Sequence, residues 1–470
     1  MHARELIEQA LAVRGGPRTT GRVVIVQESS EVALRWANNT MTTNGHSTSV
    51  AWTVISLVGL DGGVGAGVVS SSALVTDPRE IEDAVRASEA AAASAGPARD
   101  AVPLPEPAAD NGQAWDEPSD GTDITVFGPL AADLAGTFRR ASAEQRTLYG
   151  FAHHQVTTTW LGTSTGTRRR WTQPTGSVEL NAKARGSSAW AGRATATPEE
   201  FAALDLTALD AELVGRLDWG KRRIELPAGR YRTILPASAM ADLMTYLSWE
   251  MSGRPAQEGH SAFAAPPEVP EATRVGERLT DLPLTLCSDP DAPDGLACAP
   301  FLATAHSGDS TSVFDNGAAL RRVNWVDGGV LGALAYPRAA AAEFGTEFTA
   351  PADNLILDAG AHASLDDLIA GTERGLLLTC LWYIRMVDPA SLLLTGLTRD
   401  GVYLVEGGEV VGEVNNFRFN ESPLDLLRRV ETAGRAERTL PREFKDWFTR
   451  TIMPPVVVPD FNMSSVSQAS

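Results

Sequence analysis

The residue types that most often do chemistry are few in this chain and poorly spaced for it. Its seven histidines (His2, His46, His153, His154, His260, His306 and His362) form no HExxH, HExxxH or HxxxH pattern. A zinc hydrolase needs neutral imidazole, thiolate or carboxylate groups converging on one ion, and short helical spacings supply these most simply. His153 and His154 lie in FAHHQVTTTW, which reads as a strand. Neighbours on a strand point to opposite faces, so the pair reads as ordinary strand histidines. A site assembled from distant residues, such as His260 with Cys380, stays open, although nothing in the sequence brings them together.

Three other motifs have a chemical and a plain reading. Gly162-Thr163-Ser164-Thr165-Gly166 fits GxSxG, but a nucleophile elbow must join a strand to a helix. Here TRRRWTQPTGSVEL follows, so a glycine-rich hairpin is expected, with Arg168-Arg169-Arg170 as its solvated tip or as a spot for an acidic partner. Gly62-Gly63-Val64-Gly65-Ala66-Gly67 would need to open a helix to cradle phosphate. It runs into VVSSSALV, a strand signal, and reads as turn or bulge. Asp289, Asp291 and Asp294 in SDPDAPDG miss the spacing of a calcium loop and read as an acidic turn.

The elements that would position such residues can be traced by periodicity. MHARELIEQALAVRGG reads as a helix closed by Gly15-Gly16-Pro17. Residues 22–72 read as antiparallel strands broken by Asn-Gly and Asp-Gly turns. Asp77 and Pro78 open a helix that Gly96 stops. A Pro- and Asp-rich loop spans about 97–123, followed by a helix at AADLAGTFRRASAE and a β region from Tyr149 to about Thr195. TPEEFAALDLTALDAELVGRLDWG reads as helical. From Gly229 to Pro255 a strand leads into an amphipathic helix, with Ser238 as N-cap. Met240, Leu243, Met244, Leu247 and Met251 recur at helical spacing there, and Gly253 with Pro255 stops the run. The remainder is β-rich. The expected class is α+β: an N-terminal α/β domain (1–228) with mostly antiparallel strands and flanking helices, then a β-rich C-terminal domain (229–470).

Composition narrows the function classes. The chain has 470 residues and a net charge of -19, which disfavours a nucleic acid or an anionic membrane as partner. Its three cysteines are too few for a disulfide framework. No apolar run approaches the roughly 20 residues that span a bilayer, and the N-terminus lacks a signal-peptide pattern. A reducing cytoplasm is the expected compartment.

Several long blocks carry a family resemblance. QEGHSAF (257–263), VGERLTDLPLTLCSDP (275–290), FDNGAALRRVNWVDGGVLGALAYPRAAAAEFG (314–345) and GLLLTCLWYIRMVDPASLLLTGLTRDGVYLVEGGEVVGEVNNFRFNES (375–422) occur in order. Together with VVIVQESSEVALRWANN near the start, they resemble the TldD/TldE (PmbA) family over about residues 20–465. The resemblance implies a heterodimeric peptidase. Its TldD subunit holds one zinc through HExxxH and a cysteine, and its TldE subunit lacks the metal site. The pair encloses a chamber that cuts unfolded peptides or leader peptides.

Aligned from Gly229-Arg230-Tyr231, the three key positions of that motif fall on Thr245, Tyr246 and Glu250. Neither histidine is present, and Cys380, in an apolar run, reads as a core cysteine rather than the third ligand. The resemblance therefore implies the TldE side: no catalytic or metal residue in this chain, zinc in an HExxxH-bearing partner, and a peptide substrate. Thr245, Tyr246, Trp249 and Glu250 are the positions expected to line the chamber, with core packing of Tyr246 and Trp249 as the alternative. Two other functions remain, a self-sufficient homodimeric peptidase with an unrecognised site and a peptide-binding scaffold.

Overall fold

The computed structural model describes residues 1–186, 190–196, 201–269, 272–399, 401–448 and 450–467. Helix makes up 23% and strand 39%, a mixed α+β fold. Helix α1 (Ala3–Ala12) is followed by three long strands, β1 (Thr19–Ala37), β2 (Thr40–Leu60) and β3 (Gly63–Ser71). Then come α2 (Pro78–Ala95), α3 (Gly128–Ala143), β4 (Arg146–Thr163), β5 (Arg168–Ala184), β6 (Trp190–Ala196) and α4 (Leu206–Trp219). The six strands form one antiparallel sheet in the order β3-β2-β1-β4-β5-β6. Thr197–Glu200, the start of the expected helix, lie outside the described residues, and Asp205 caps α4 through the Ala208 amide.

Side-chain alternation explains how this sheet is covered. Val24 and Val26 pack with Leu6 and Ile7 of α1 and with Ile81 and Val85 of α2. Val32, Leu34 and Trp36, on the same face, pack against α3 and α4. Val23 and Ile25 face the other way, onto Phe301, Val313 and Phe314 from much later in the chain. Asp77 and Glu80 form a capping box at the start of α2, and Gly96 ends it at φ 80°.

Two turn expectations need correction. The β1–β2 turn is Asn38-Asn39, both with positive φ (53° and 58°), whereas Asn44-Gly45 lies inside β2. Asn tolerates the left-handed region, and a two-residue turn with both φ values positive matches the twist of the flanking strands. Asp61-Gly62 does turn β2 into β3. Gly65 and Gly67, however, are neither turn nor bulge residues. A Cβ on Gly67 would lie 2.2 Å from the Ser88 carbonyl oxygen, and one on Gly65 2.3 Å from that of Ala92. The glycines let α2 lie directly on the β3 backbone.

The arginine run is not a solvated tip. Arg168 pairs with Glu8 at 2.7 Å, Arg169 with Asp110 at 2.5 Å, and Arg170 with Glu117 at 3.6 Å. Arg168 lies over the Trp115 ring and Arg170 over that of Trp160. These contacts fasten the segment 97–123, which has no helix or strand, across the sheet. The hydrogen bond and charge of the buried Arg169 guanidinium hold the Asp110 carboxyl below its ordinary range. Arg169→Ala is expected to cost about 1–3 kcal/mol. Limited proteolysis should then cut first within 97–123, and unchanged cleavage there would contradict the fastening.

The later chain runs through β7 (Arg223–Ile224), β8 (Gly229–Leu235), α5 (Ala237–Glu250), α6 (Gly253–Gln257), β9 (Thr285–Ser288), β10 (Val323–Asp327), β11 (Val330–Leu331) and α7 (Arg338–Phe344). It continues with β12 (Leu355–Asp358), α8 (Leu365–Ala370), β13 (Arg374–Leu378), β14 (Leu381–Asp388), β15 (Leu393–Thr398), β16 (Val402–Glu406), β17 (Glu409–Val414) and β18 (Phe417–Glu421). Helix α9 (Pro423–Arg429), β19 (Thr432–Ala433), β20 (Glu437–Thr439), β21 (Thr451–Met453) and β22 (Val456–Val466) complete it. Two sheets result. One has the order β11-β10-β9-β12-β21-β20; the other runs β14-β15-β18-β22-β8-β13-β16-β17-β7, with β19 beside β22. Helix α5 packs into the largest apolar cluster of the chain, with strands of both sheets around it.

Candidate functional site

Helix α5 starts and stops differently from the sequence reading. Pro236, not Ser238, is the N-cap: its extended backbone aims the carbonyl at the amides of Ala239 (3.0 Å) and Met240 (3.1 Å). Ser238 sits inside the first turn. The helix ends at Glu250, and Gly253 opens the short α6, which tolerates Pro255 in its first turn. Nor is α5 a surface amphipathic helix. Ala237, Ala239 through Thr245 and Leu247 are all buried, so solvent reaches it only at Ser238 and along its last turn.

This placement separates the four candidate positions. Thr245 is fully buried, and its Oγ1 meets no hydrogen-bonding group among the described residues. Tyr246 is half-buried, Trp249 is 44% exposed, and Glu250 is half-buried. Tyr246, Trp249 and Phe444 form one aromatic cluster, with Trp249 edge-on to Phe444 at 4.8 Å and Tyr246 6.0 Å from Phe444. Burial, then the Glu250 charge, raises the Tyr246 phenol, whose hydroxyl meets the Met386 backbone. Burial also raises the Glu250 carboxyl, helped by Asp309. Trp447, Tyr383 and Val387 add exposed apolar surface on the neighbouring turn and on β14.

Sequence reading missed the residue that organises this cluster. Asp242, fully buried on α5, accepts hydrogen bonds from the backbone amides of Glu443 (2.8 Å) and Phe444 (3.3 Å). Burial pushes its carboxyl up to about 8 despite these bonds. The turn it holds is tied on its other side to the N-terminal sheet: Arg442 and Lys445 lie 3.6 and 3.5 Å from Glu179, and Lys445 stands over Phe151. An aspartate inside an otherwise apolar helical stretch, MADLM, was the available signal.

The remaining sequence candidates fall apart in space. GxSxG is the β4–β5 hairpin turn, where Ser164 Oγ accepts from the Arg22 amide. His153 pairs with Glu31 at 3.1 Å, while buried His154 bonds Thr122 on the opposite face. The acidic run 288–295 is a turn in which the Asp291 amide donates to Asp289. His260 is exposed beside Glu258. Cys380 is only half-buried and lines a cavity of about 10 Å³ with Ser238 and Arg442, so it is not the core cysteine expected. Among the described residues, no three His, Cys, Asp or Glu side chains group to hold a metal ion.

Comparison with known proteins places this framework. Residues 228–465 match the model described as PmbA/TldA metallopeptidase C-terminal domain, and residues 23–92 match PmbA/TldA metallopeptidase domain 1. The chain belongs to the PmbA/TldD metallopeptidase family. It is similar in fold to TldE from Thermococcus kodakarensis, with a TM-score of 0.71 at 18% identity, covering 94% of this chain and 96% of that one. A putative modulator of a DNA gyrase from Thermotoga maritima gives a TM-score of 0.71 at 17% identity, with 94% and 95% covered. A putative modulator of DNA gyrase from Bacteroides thetaiotaomicron gives 0.70 at 16%, with 99% and 98% covered. No curated protein matches by sequence.

A metallopeptidase family implies a metal ion, and the groups at the end of α5 do not fit one. Thr245 offers a neutral hydroxyl sealed in the core, Tyr246 offers a phenol whose proton is held above its ordinary range, and Glu250, with Asp309 near it, belongs to no group of three ligand-type side chains among the described residues. No helix among the described residues is long and apolar enough to cross a membrane.

Proposed function

We propose that this chain is the non-catalytic, TldE-like subunit of a heterodimeric zinc metallopeptidase acting in the cytoplasm on unfolded peptides or leader peptides. The observation that carries this reading is α5 itself. The helix onto which the resemblance aligns HExxxH is present and well packed, yet its two histidine positions hold Thr245, a buried hydroxyl, and Glu250, a half-buried carboxyl. Zinc, and the polarised water it supplies when bound, belong to an HExxxH-bearing partner. Tyr246, Trp249 and Glu250 line the peptide chamber in this reading, and Thr245 supports them from the core. An exposed aromatic cluster suits that task, because it contacts varied side chains through area rather than through a hydrogen-bond code.

Co-expression with an HExxxH-bearing family member provides the test. The expected result is a heterodimer with zinc only on the partner by elemental analysis. Chelator-sensitive cleavage of an unstructured peptide should appear with the pair and be absent from this chain alone. Stoichiometric zinc and cleavage by the isolated chain would overturn the proposal in favour of a self-sufficient peptidase. Peptide binding without cleavage by any such pair would favour the scaffold.

A further inference from the structure

Strand β2 is paired on one side only along half its length. Against β1 its register runs without a bulge from Gln27↔Ala51 to Arg35↔Thr43. On the other side, β3 covers only Trp52 to Leu60. The outer edge of Thr40–Ala51 therefore has no strand partner among the described residues, and the side chains from Thr40 to Ser49 are all exposed. A Cβ built on Gly45 meets nothing within 4 Å, so the edge is open to approach.

Edges of this length are usually protected by lysine, proline, bulges or a covering loop. Along β2 the one such device among the described residues is a register shift at Thr42, between Arg35↔Thr43 and Trp36↔Met41, and the stretch from Thr43 to Ala51 runs on without another. TMTTNGHSTSVA contains no Lys, Arg, Asp, Glu or Pro and is rich in hydroxyl side chains. By contrast, the exposed edge strand β14 is interrupted by two register shifts and by Tyr383 at positive φ. An open cavity of about 680 Å³ adjoins the β2 edge, lined in part by Thr48, Val50, Leu74, Glu28 and Asp120. Its ionisable side chains, Glu28 and Asp120, are acidic, Met1 lines it as well, and the arginine paired with Asp120 among the described residues stands 3.9 Å away.

We propose that the outer edge of β2, from Thr40 to Ala51, binds an extended peptide as an added strand, with the adjoining acidic cavity taking a lysine or arginine side chain. Backbone hydrogen bonds at the usual strand spacing of about 4.8 Å would hold peptides of varied sequence. The cavity would add a preference for basic ones. A second copy of this chain is the poorer occupant, because each copy carries a net charge of -19. The inference deepens the reading of this chain as a peptide-holding subunit, but its test needs neither zinc nor the partner.

The test uses the full chain and an unstructured peptide of about ten residues, built from Ser, Thr and Val with two lysines. Hydrogen–deuterium exchange should slow across 40–51 when the peptide is added. A peptide N-methylated at alternate residues loses the edge hydrogen bonds and should bind at least about tenfold more weakly, as should a version with glutamate for lysine. Thr43→Lys/Ser47→Lys, at exposed positions, should weaken the lysine peptide by a similar factor while leaving the unfolding midpoint unchanged. Protection elsewhere, or equal binding of the N-methylated peptide, would overturn the proposal. So would protection of 40–51 by the HExxxH-bearing partner or by self-association without peptide. Failure of cleavage in the heterodimer would count against the subunit assignment alone.

Discussion

Asp242→Ala is expected to destabilise the chain by about 2–5 kcal/mol at pH 5 and to dissolve the aromatic cluster at the end of α5. The Glu443 and Phe444 amides lose their acceptor, and an unsatisfied buried amide costs about 1–3 kcal/mol. Because the turn at 442–448 carries Phe444 against Trp249, near-ultraviolet circular dichroism should report its loss. Asp242→Asn keeps an acceptor in the same place and should fold normally. The two variants also separate charge from geometry. The Asp242 carboxyl is raised from 3.8 to about 8 in the folded chain, so the folded state binds its proton more tightly than the unfolded state does. The stability this proton contributes is fully present below about pH 4. It is lost as pH rises towards 8, by up to about 1.4 kcal/mol per unit between the two values. Urea unfolding at pH 5, 7 and 9 should show wild type losing stability relative to Asp242→Asn along that series. Parallel curves would mean that the carboxyl does not titrate there.

Gly67→Val is expected to cost about 3 kcal/mol and to loosen α2 from the N-terminal sheet. Its Cβ would sit 2.2 Å from both the Ser88 carbonyl oxygen and the Ala92 nitrogen, which are helix backbone and cannot rotate away. Either α2 lifts or β3 withdraws, and both sacrifice apolar contact around Ile81 and Val85. The buried hydroxyl pair Ser56–Ser88, at 2.7 Å, would be strained by the same movement. Gly45→Val provides the contrast: nothing lies within 4 Å of its Cβ. A β-branched residue in an extended strand should there be neutral or stabilising by about 0.5 kcal/mol. Thermal unfolding of the two variants measures the difference, and similar midpoints would refute the close-packing role of Gly67.

The cap of α2, the hairpin at GxSxG and the opposite orientations of His153 and His154 were all legible because each depends on neighbours close in sequence. Local backbone preference and side-chain alternation suffice for them. The family was legible too, since long blocks in fixed order survive even where the motif is lost. Readings that depended on distant segments were less secure. Arg168, Arg169 and Arg170 looked like a solvated tip because their partners, from Glu8 to Asp120, lie far away in sequence. Asn44-Gly45 looked like a turn because Asn38-Asn39 had no glycine to mark it. Residue types by themselves showed that the sequence contains no HExxxH. Only the tertiary structure decided that Thr245 lies in the core while Tyr246, Trp249 and Glu250 reach its rim. The physical reason is that burial around α5 is set by strands and turns from across the later chain, with Asp242 anchoring the nearest of them.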